Sequence, residues 1–370
     1  MSWLAVPAVL AAAYYLLALL AALRWRRRVA CARAAEHPGL PPISILKAVR
    51  GRDPGFYEAI RSHAVQDYPA FEMLFGFSDP HDSAAADVAR LQSEFPQVPI
   101  SLHYVSTAAP NTKVGVLADL ARRARHPILL INDSDILVEP GYLRAAAAPL
   151  ADPAVGLVTC LYRASANGWP ARFEALGIAT EFIPSVLTAR LLGMQGFALG
   201  STMALRAADL AKIGGFDALT DYLADDFHLG RRIHQLGRRI EFADTVVETA
   251  LGAPGWPDVW RHQLRWSRTI RAGRTAGYYG YIVTHATVWA LAAFAAGQWW
   301  AGALALALRM AAGVATARLL RYRPIGREWP LIPLRDLFGF AVWLGGAFGR
   351  TVIWRGRRLR LRRDGRIETV

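Results

Sequence analysis

Two carboxylates that are one residue apart follow a short apolar run in this sequence. The run ends at Ile131, and Asp133 and Asp135 come soon after it, separated by Ser134. Four apolar residues are typical of a buried strand, and in open α/β sheets ligands bind beyond the carboxyl ends of the strands. A turn at Ser134 would bring both carboxylates to one divalent cation and to the phosphates that it carries. The alternative is an acidic turn without a ligand, because Asp and Ser are favoured in turns.

Three more polar residues could contribute to the same site. Asp79 and Asp82 directly follow another predicted strand, where a carboxylate can accept hydrogen bonds from a nucleoside; a polar turn is the alternative. Lys113 begins a predicted helix and could bind phosphate together with backbone N–H groups, or it could be a solvated loop lysine. It is one of only three lysines among the 43 basic residues of the chain.

Two further motifs lie in the second half of the chain. Asp225 and Asp226 precede a short predicted helix, and if one of them is the N-cap, the other is free to act as a general base. Because a helix N-terminus lowers the pKa of a carboxylate, we expect a weak base there. Arg265 and Trp266 lie in a predicted helix, where the guanidinium can bind phosphate oxygens and the indole can line a pocket. An amphipathic helix on anionic lipid is an alternative that is compatible with this role.

Strand and helix patterns alternate between about residues 41 and 278, and we expect this region to form one domain. The predicted strands cover 43–49, 71–77, 100–105 and 128–132, and the predicted helices cover 54–65, 83–95, 113–125 and 256–270. Asp53 is expected to be the N-cap of the first of these helices. Such alternation predicts an α/β fold with a doubly wound, mostly parallel sheet.

Apolar segments at both ends predict a membrane protein. Residues 1–23 are long enough to cross a bilayer, and the arginines of a basic linker, 24–40, place the next domain in the cytoplasm by the positive-inside rule. Residues 281–320 are long enough for a hairpin of two crossings. Residues 331–354 are apolar but interrupted by charges, which favours an interfacial or re-entrant segment. Residues 355–370 are densely basic and are expected to form a cytoplasmic tail.

The charge and cysteine content agree with this interpretation. The formal net charge is +14, and the basic stretches flank apolar segments, where they are expected to face anionic lipid headgroups. A nucleic-acid-binding protein would more typically concentrate this charge in a separate basic domain, so we expect no nucleic-acid partner. Two cysteines are too few for a disulfide framework, as expected for a reducing compartment.

Taken in order, these motifs resemble those of the inverting glycosyltransferases of families 2 and 21. The resemblance is strongest to the ceramide glucosyltransferases and to the related bacterial hopanoid-lipid glycosyltransferases, and it covers about residues 41–275. The motifs that carry it are Asp79 after a strand, Asp133-Ser134-Asp135, Asp226, and Arg265-Trp266. One position departs from the family pattern, because His262 lies where relatives have Gln or Arg, four residues before the tryptophan.

The resemblance implies a GT-A fold, a UDP-sugar donor, a divalent metal (Mg²⁺ or Mn²⁺) and a lipid acceptor at a bacterial-type inner membrane. By the same resemblance Asp79 would contact the uridine and Asp226 would be the general base. Asp133 and Asp135 would hold the metal and the diphosphate. Arg265 and Trp266 would bind the diphosphate and close the acceptor side.

Several functions fit the sequence, and they differ in the molecule on which the protein would act. Glucose transfer to ceramide comes first, and transfer of N-acetylglucosamine or another sugar to a hopanoid polyol comes second. A processive polysaccharide synthase is disfavoured, since such enzymes use more membrane helices. A non-catalytic lipid-binding scaffold with a degenerate GT-A domain is the alternative from another class.

Overall fold

The structure is a computed structural model that describes residues 3–32 and 40–369, so part of the predicted basic linker lies outside the described residues. The chain forms two compact units. We call the first the sheet unit, and it consists of Ala32–Tyr162 and Gln195–Ala250. We call the second the helical unit, and it consists of Met1–Cys31, Arg163–Met194 and Leu251–Val370.

An eight-stranded sheet forms the centre of the sheet unit. Its strands, numbered along the chain, are β1 (Ile43–Val49), β2 (Phe71–Phe77), β3 (Ile100–Tyr104), β4 (Ile128–Ile131), β5 (Ile136–Leu137), β6 (Val155–Ser165), β7 (Met203–Arg206) and β8 (Arg239–Ala250). The strand order is β3-β2-β1-β4-β7-β6-β8-β5. β1 pairs in parallel with β2 and β4, and β2 pairs in parallel with β3.

The sheet is mixed, whereas the sequence predicts a mostly parallel one. β7 runs antiparallel to both β4 and β6, and β5 runs antiparallel to β8. The four predicted strands are therefore present and parallel to one another, but β7, which follows β4 in the strand order, runs in the opposite direction. The cause is topological, since the chain enters β7 from the other end of the sheet, and an antiparallel neighbour needs no crossover connection.

Helices surround this sheet or build the second unit. Those of the sheet unit are α2 (Phe56–Ala64), α3 (Ala85–Glu94), α4 (Thr112–Arg123), α5 (Tyr142–Ala147), α8 (Ala207–Lys212) and α9 (Asp225–Gln235). Those of the helical unit are α1 (Val6–Ala32), α6 (Trp169–Gly177), α7 (Ile183–Leu191), α10 (Trp256–Gly273), α11 (Thr275–Gly280), α12 (Ala286–Ala295), α13 (Trp299–Leu319), α14 (Ile325–Glu328) and α15 (Ile332–Gly346).

The core of the sheet unit lies between the sheet and its helices. Apolar side chains of α4 and α9, such as Leu117 and Leu229, are buried against strand residues such as Leu46, Leu129 and Leu205. Both faces of the central parallel strands are covered, which explains why β1 and β4 are nearly continuous apolar runs. This packing fixes the carboxyl ends of β1, β2 and β4 at one edge of the sheet.

Alanine-rich faces hold α1 against α12 and α13 within the helical unit. Ala8 and Ala12 of α1 are buried in one cluster with Ala290 and Ala305, and small side chains allow such helices to approach closely. The Tyr15 hydroxyl donates a hydrogen bond to the Thr284 carbonyl at 2.7 Å. α1 is therefore a packed part of this unit.

Two helices of the described chain are long and apolar enough to cross a membrane, Val6–Val29 within α1 and Trp299–Leu319, which is α13. The region predicted as a hairpin of two crossings does turn at Gly297, whose φ is 72°. Its first arm, α12, has ten residues and is about 15 Å long, against about 30 Å for the hydrocarbon core of a bilayer. The two arms are thus unequal, and membrane crossing by this hairpin stays a prediction.

The C-terminal region forms regular structure where the sequence suggests an interfacial segment and a tail. Residues 331–354 divide into α15 and a strand, and the basic residues after them continue as strands. A three-stranded antiparallel sheet results, in the order β11-β10-β9, from β9 (Thr351–Trp354), β10 (Arg357–Leu361) and β11 (Ile367–Thr369). The alternation of arginine with leucine in β10 is the strand period within the charged run.

Candidate functional site

Charged side chains gather in the sheet unit at the edge where β4 ends. Asp133 follows β4 and its side chain is 47% exposed, so that it can reach a ligand. The Lys113 ammonium lies 2.7 Å from Asp133 Oδ1 and 3.3 Å from Asp225 Oδ2. One lysine thus holds together two acidic segments that are far apart in the sequence.

Lys113 is placed by the start of α4, as the sequence predicts. Asn111 is the N-cap, and its side chain accepts a hydrogen bond from Val114 N at 3.3 Å and donates one to the Tyr222 carbonyl at 2.7 Å. Burial of the Lys113 ammonium lowers its pKa, but Asp133 and Asp225 outweigh burial and raise the pKa well above its ordinary value. Lys113 is therefore a permanent cation in the cluster, with carboxylates as its partners.

Asp226 lies beside this cluster in the first turn of α9 and is half-buried. Its Oδ2 accepts a hydrogen bond from Gly200 N at 3.0 Å and its Oδ1 accepts one from Phe227 N at 2.7 Å. The N-cap residue is Ala224, so neither aspartate has the N-cap position that the sequence suggests. Burial and the neighbouring Asp225 raise the pKa of Asp226 to about 6, although Phe227 N–H and Lys113 lower it.

The expectation of a weak base at a helix N-terminus is therefore wrong for Asp226. Desolvation of the carboxylate and the negative charge of Asp225 outweigh the hydrogen bond from Phe227 N and the charge of Lys113, which lower the pKa. A carboxylate with a pKa near 6 is ionised at neutral pH and is a stronger base than an exposed aspartate. This is the property that proton removal from a hydroxyl requires.

Asp135 is held on the other side of the Asp133 turn. Its Oδ2 accepts a short hydrogen bond from the Thr249 hydroxyl of β8. Burial and the charge of Asp133 raise the pKa of Asp135 to about 6, so the two carboxylates interact electrostatically. The Ser134 hydroxyl between them donates to Asp53 Oδ2 at 2.6 Å. Asp53 thus fixes the turn, whereas the N-cap of α2 is Gly55.

Lys47 is a residue of this site that sequence reasoning missed. It lies in β1, is fully buried, and its ammonium donates to the Asp133 carbonyl at 3.2 Å. Burial lowers the pKa of Lys47 to about 7, while Asp135 and Asp133 act in the opposite direction. The signal was present in the sequence, because a lone lysine in an otherwise apolar strand needs a buried acceptor.

Asp79 and Asp82 follow β2 as predicted but lie in different environments. Asp79 is exposed, and its Oδ1 accepts a hydrogen bond from His81 N at 2.9 Å. Both oxygens of Asp82 accept from backbone groups, Gly51 N at 2.6 Å and Ala84 N at 3.0 Å. Asp82 therefore fixes the loop after β1, and Asp79 is the one whose carboxylate faces solvent.

Arg265 and Trp266 lie on α10 in the helical unit, as predicted. The Trp266 ring lies 5.6 Å from Phe182 and 4.8 Å, edge to face, from His262. His262 Nδ1 and Gln263 Nε2 both contact Oε1 of the buried Glu174, at 2.6 and 2.8 Å. His262 and Gln263 thus anchor the helix that carries the arginine and the tryptophan.

The acidic residues of the sheet unit suit a cation that is shared with a substrate. Among residues 3–32 and 40–369, no three Asp, Glu, His or Cys side chains are grouped so that they could hold a metal ion. Mg²⁺ typically uses one or two carboxylates and completes its shell with water and substrate phosphates. Asp133 and Asp135 are two carboxylates on one turn, and the charge of Asp133 raises the pKa of Asp135 although Asp133 is paired with Lys113.

Gly200 leaves space between two of these carboxylates. A Cβ atom at this position would lie 3.4 Å from Asp226 Oδ2 and 3.5 Å from Asp133 Oδ2. The glycine therefore keeps open the volume next to both oxygens, where a reacting group can enter.

Comparisons with known proteins show the family to which the chain is similar. The family model for glycosyl transferase family 21 matches residues 3–367. Two ceramide glucosyltransferases of Caenorhabditis elegans are similar: number 1 is 29% identical over 203 residues (54% of this chain, 43% of the relative), and number 3 is 28% identical over 208 residues (55% and 45%). The matched region is thus less than half of these curated relatives.

A solved structure shows the same fold. The mannosyltransferase of Pyrobaculum calidifontis, in complex with GDP-Man and Mn²⁺, is 20% identical, covers 92% of this chain and 97% of its own, and has a TM-score of 0.50. At this identity the likeness concerns the fold, which is of the GT-A type predicted from the sequence. Since the family model spans nearly the whole chain, the protein belongs to glycosyltransferase family 21.

Proposed function

We propose that this protein transfers a sugar, with glucose as the first candidate, from a UDP-sugar to a hydroxyl group of a membrane lipid, with ceramide as the first candidate. The observation that carries the proposal is the cluster in which Lys113 joins Asp133 to Asp225, next to the half-buried Asp226, whose pKa is raised. Ceramide glucosyltransferases are among the relatives of the chain. Transfer of N-acetylglucosamine or another sugar to a hopanoid polyol is the second candidate, and it uses the same residues.

Single-step inverting transfer is the mechanism that these residues support. The acceptor oxygen attacks C1 of the sugar on the face opposite the diphosphate, and the bond from C1 to the diphosphate oxygen breaks with its electron pair leaving on UDP. Asp226 accepts the proton of the attacking hydroxyl. Its pKa of about 6 keeps it ionised at neutral pH until the proton is transferred.

The remaining residues bind and orient the donor. Asp133 and Asp135 would hold Mg²⁺ or Mn²⁺, which neutralises negative charge on the diphosphate. Asp79 is exposed at the end of β2, where a carboxylate can bind the uridine. Lys113 keeps the carboxylates in place. By the family resemblance, Arg265 and Trp266 would bind the diphosphate and close the acceptor side.

A membrane location supports a lipid acceptor. α1 and α13 are long and apolar enough to cross a bilayer, and we place the sheet unit on the cytoplasmic side of an inner membrane by the positive-inside rule. The apolar body of the acceptor would stay in the bilayer while its hydroxyl reaches the base.

The test is incubation of membranes that contain the full chain with each radiolabelled UDP-sugar and with defined lipid acceptors, followed by lipid separation. The expected result is one labelled glycolipid, formed with UDP-glucose and ceramide. Label in a hopanoid would support the second candidate. If UDP is released but none of the tested lipids becomes labelled, lipid transfer is overturned. If no UDP is released in any condition, a non-catalytic scaffold is favoured.

A further inference from the structure

The C-terminal sheet, β9 to β11, has one packed face and one face that carries charge. Val352, Leu359, Leu361 and Ile367 are buried, and the antiparallel register places Val352 opposite Leu359 and Ile367 opposite Leu361. Successive side chains in a strand point to opposite faces. The residues between these apolar ones therefore form the second face.

This second face is mostly basic and carries one apolar side chain, Ile353, on its edge strand. Arg358 lies opposite Ile353, and Arg360 lies between Thr351 and Glu368, which forms an ion pair with Arg362 at 3.3 Å. Both arginines are exposed, and Ile353 is 56% exposed. Within the part of the chain that the structure describes, no carboxylate forms an ion pair with either arginine. Residues 350–369 contain eight arginines and two acidic residues, so the whole segment is strongly positive.

The same sheet is attached to the helix that carries Arg265 and Trp266. Arg268 of α10 donates to the Thr351 carbonyl at 2.6 Å and to the Phe348 carbonyl at 3.1 Å. Arg271, one turn further along, donates short hydrogen bonds to the carbonyls of Ala347 and Gly349. Two arginines of α10 thus fix the loop that leads from α15 into β9.

We propose that the face formed by Arg358, Arg360 and Ile353 docks on an anionic membrane surface. Each basic residue near such a surface is attracted by anionic headgroups, and an apolar side chain among the charges can enter the boundary with the acyl chains. Phe348, which precedes β9, is 68% exposed and adds apolar surface to the same end of this segment. Nucleic acid would also attract the arginines, but an exposed isoleucine directly beside Arg358 suits a bilayer better.

Docking of this face has a consequence for sugar transfer, and this consequence rests on the proposed function. Because Arg268 and Arg271 connect the sheet to α10, a docked sheet holds α10 at a fixed height above the lipid surface. We therefore expect transfer to a lipid acceptor to be faster in bilayers that contain anionic lipid than in neutral ones.

The docking itself is tested without a transfer assay. The full chain, with Ile353→Cys labelled by an environment-sensitive NBD dye and Cys31→Ser to remove one competing thiol, is placed in nanodiscs of phosphatidylcholine alone or with phosphatidylglycerol. We expect blue-shifted, brighter emission in the anionic nanodiscs and loss of that change at high salt. In Arg358→Gln/Arg360→Gln we expect the ratio of docked to undocked sheet to fall about thirtyfold, at about fivefold per charge.

Two companion variants keep the test decisive. Arg358→Lys/Arg360→Lys preserves the charge and should behave as the parent. If the glutamine variant unfolds, the dependence of the parent's emission on anionic lipid and on salt is the test. Arg122→Gln/Arg123→Gln removes two exposed arginines of α4 and should leave the emission unchanged. Equal emission in both lipids, or an unaltered glutamine variant, would overturn the proposal. Binding of an RNA oligonucleotide that is lost in the glutamine variant, without a lipid response, would overturn it in favour of nucleic acid.

Discussion

The proposed function gives Asp133 and Asp226 different tasks, and their partners differ accordingly. Asp133 is bound to the Lys113 ammonium, whereas the half-buried Asp226 is bound to two backbone N–H groups. Asp133 can exchange its partner for a ligand, and desolvation together with Asp225 raises the pKa of Asp226. This division between a binding carboxylate and a basic carboxylate is a requirement of the proposed transfer.

Asp226→Asn should abolish turnover and leave donor binding nearly intact. The amide has the size of the carboxylate but cannot accept the hydroxyl proton, and loss of a general base typically costs about 10²–10⁴-fold in rate. The measurement is UDP release with lipid acceptor, together with calorimetric binding of the UDP-sugar. Asp221→Asn, an exposed position before the same helix, is the control and should retain activity. Wild-type turnover in the Asp226 variant would refute the assignment of the base.

The pH dependence of kcat/KM should follow the ionisation of Asp226. The pKa of about 6 is raised above the ordinary value, so the base is active above it and is protonated, hence inactive, below it. We expect a plateau at neutral pH and a fall approaching about tenfold per pH unit in the acid range. Because the pKa of Asp135 is also raised to about 6, donor affinity is measured across the same range. A profile that stays flat between about pH 5 and pH 7 contradicts this role.

Gly200→Ala should fold normally but lose activity. The added methyl group fits at ordinary van der Waals distances, yet it fills the space beside Asp226 Oδ2 and Asp133 Oδ2. A displacement of about 1 Å in the reacting groups can cost about 100-fold. Thermal unfolding and kcat/KM are measured for this variant and for Gly141→Ala, where a Cβ meets no atom within 4 Å. Equal activity in the two variants would show that the space is not used.

At the scale of elements, α10 is held by a buried carboxylate on α6. Glu174 is nine-tenths buried or more, and its Oε1 receives hydrogen bonds from both His262 and Gln263. Burial raises the pKa of Glu174, but the contacts with His262 and Gln263 outweigh burial, so its pKa is lowered overall. The departure of His262 from the family motif is therefore compatible with a positioning role, since a glutamine could donate in the same way.

His262→Leu should destabilise the helical unit, whereas His262→Gln should be close to the parent. The leucine leaves the buried Glu174 with one donor fewer, at a cost of about 1–3 kcal/mol in the free energy of unfolding. Thermal unfolding in detergent measures the difference. Arg261→Gln, which removes a surface pair with Asp258, is the control and should change stability little, because solvent screens exposed pairs. Equal stability of the leucine and glutamine variants would show that the hydrogen bond to Glu174 does not stabilise the helical unit.

The sequence predicts the local elements of this site better than the contacts between them. The strand before Asp133, the helix start at Lys113 and the helix of Arg265 are confirmed, because each depends on periodicity and capping within a few residues. The pairing of Lys113 with Asp225 and the burial of Lys47 depend on strand order, which local patterns do not encode. The raised pKa of Asp226 has the same origin, since it depends on burial by the complete unit.

At the scale of the whole molecule, the helical unit is assembled from three separate stretches of the chain. The first helix, the segment after β6 and the last third of the sequence belong to it. A fold of this kind requires long-range contacts, so hydropathy can predict that α1 and α13 are apolar but not that their alanines face each other. The antiparallel direction of β7 beside β4 and β6 is equally hard to predict, since strand direction depends on connections rather than on side-chain alternation.

The packing of α1 gives a prediction that separates a structural helix from a simple anchor. Ala12 is buried against α12 and α13, whereas its neighbour Ala13 is exposed on the same helix. Ala12→Phe should overpack this interface and lower the free energy of unfolding by about 1–3 kcal/mol. Ala13→Phe adds the same side chain to the outer face and should have little effect. Thermal unfolding of both variants in detergent measures this, and equal effects would mean that α1 serves only to hold the chain at a membrane.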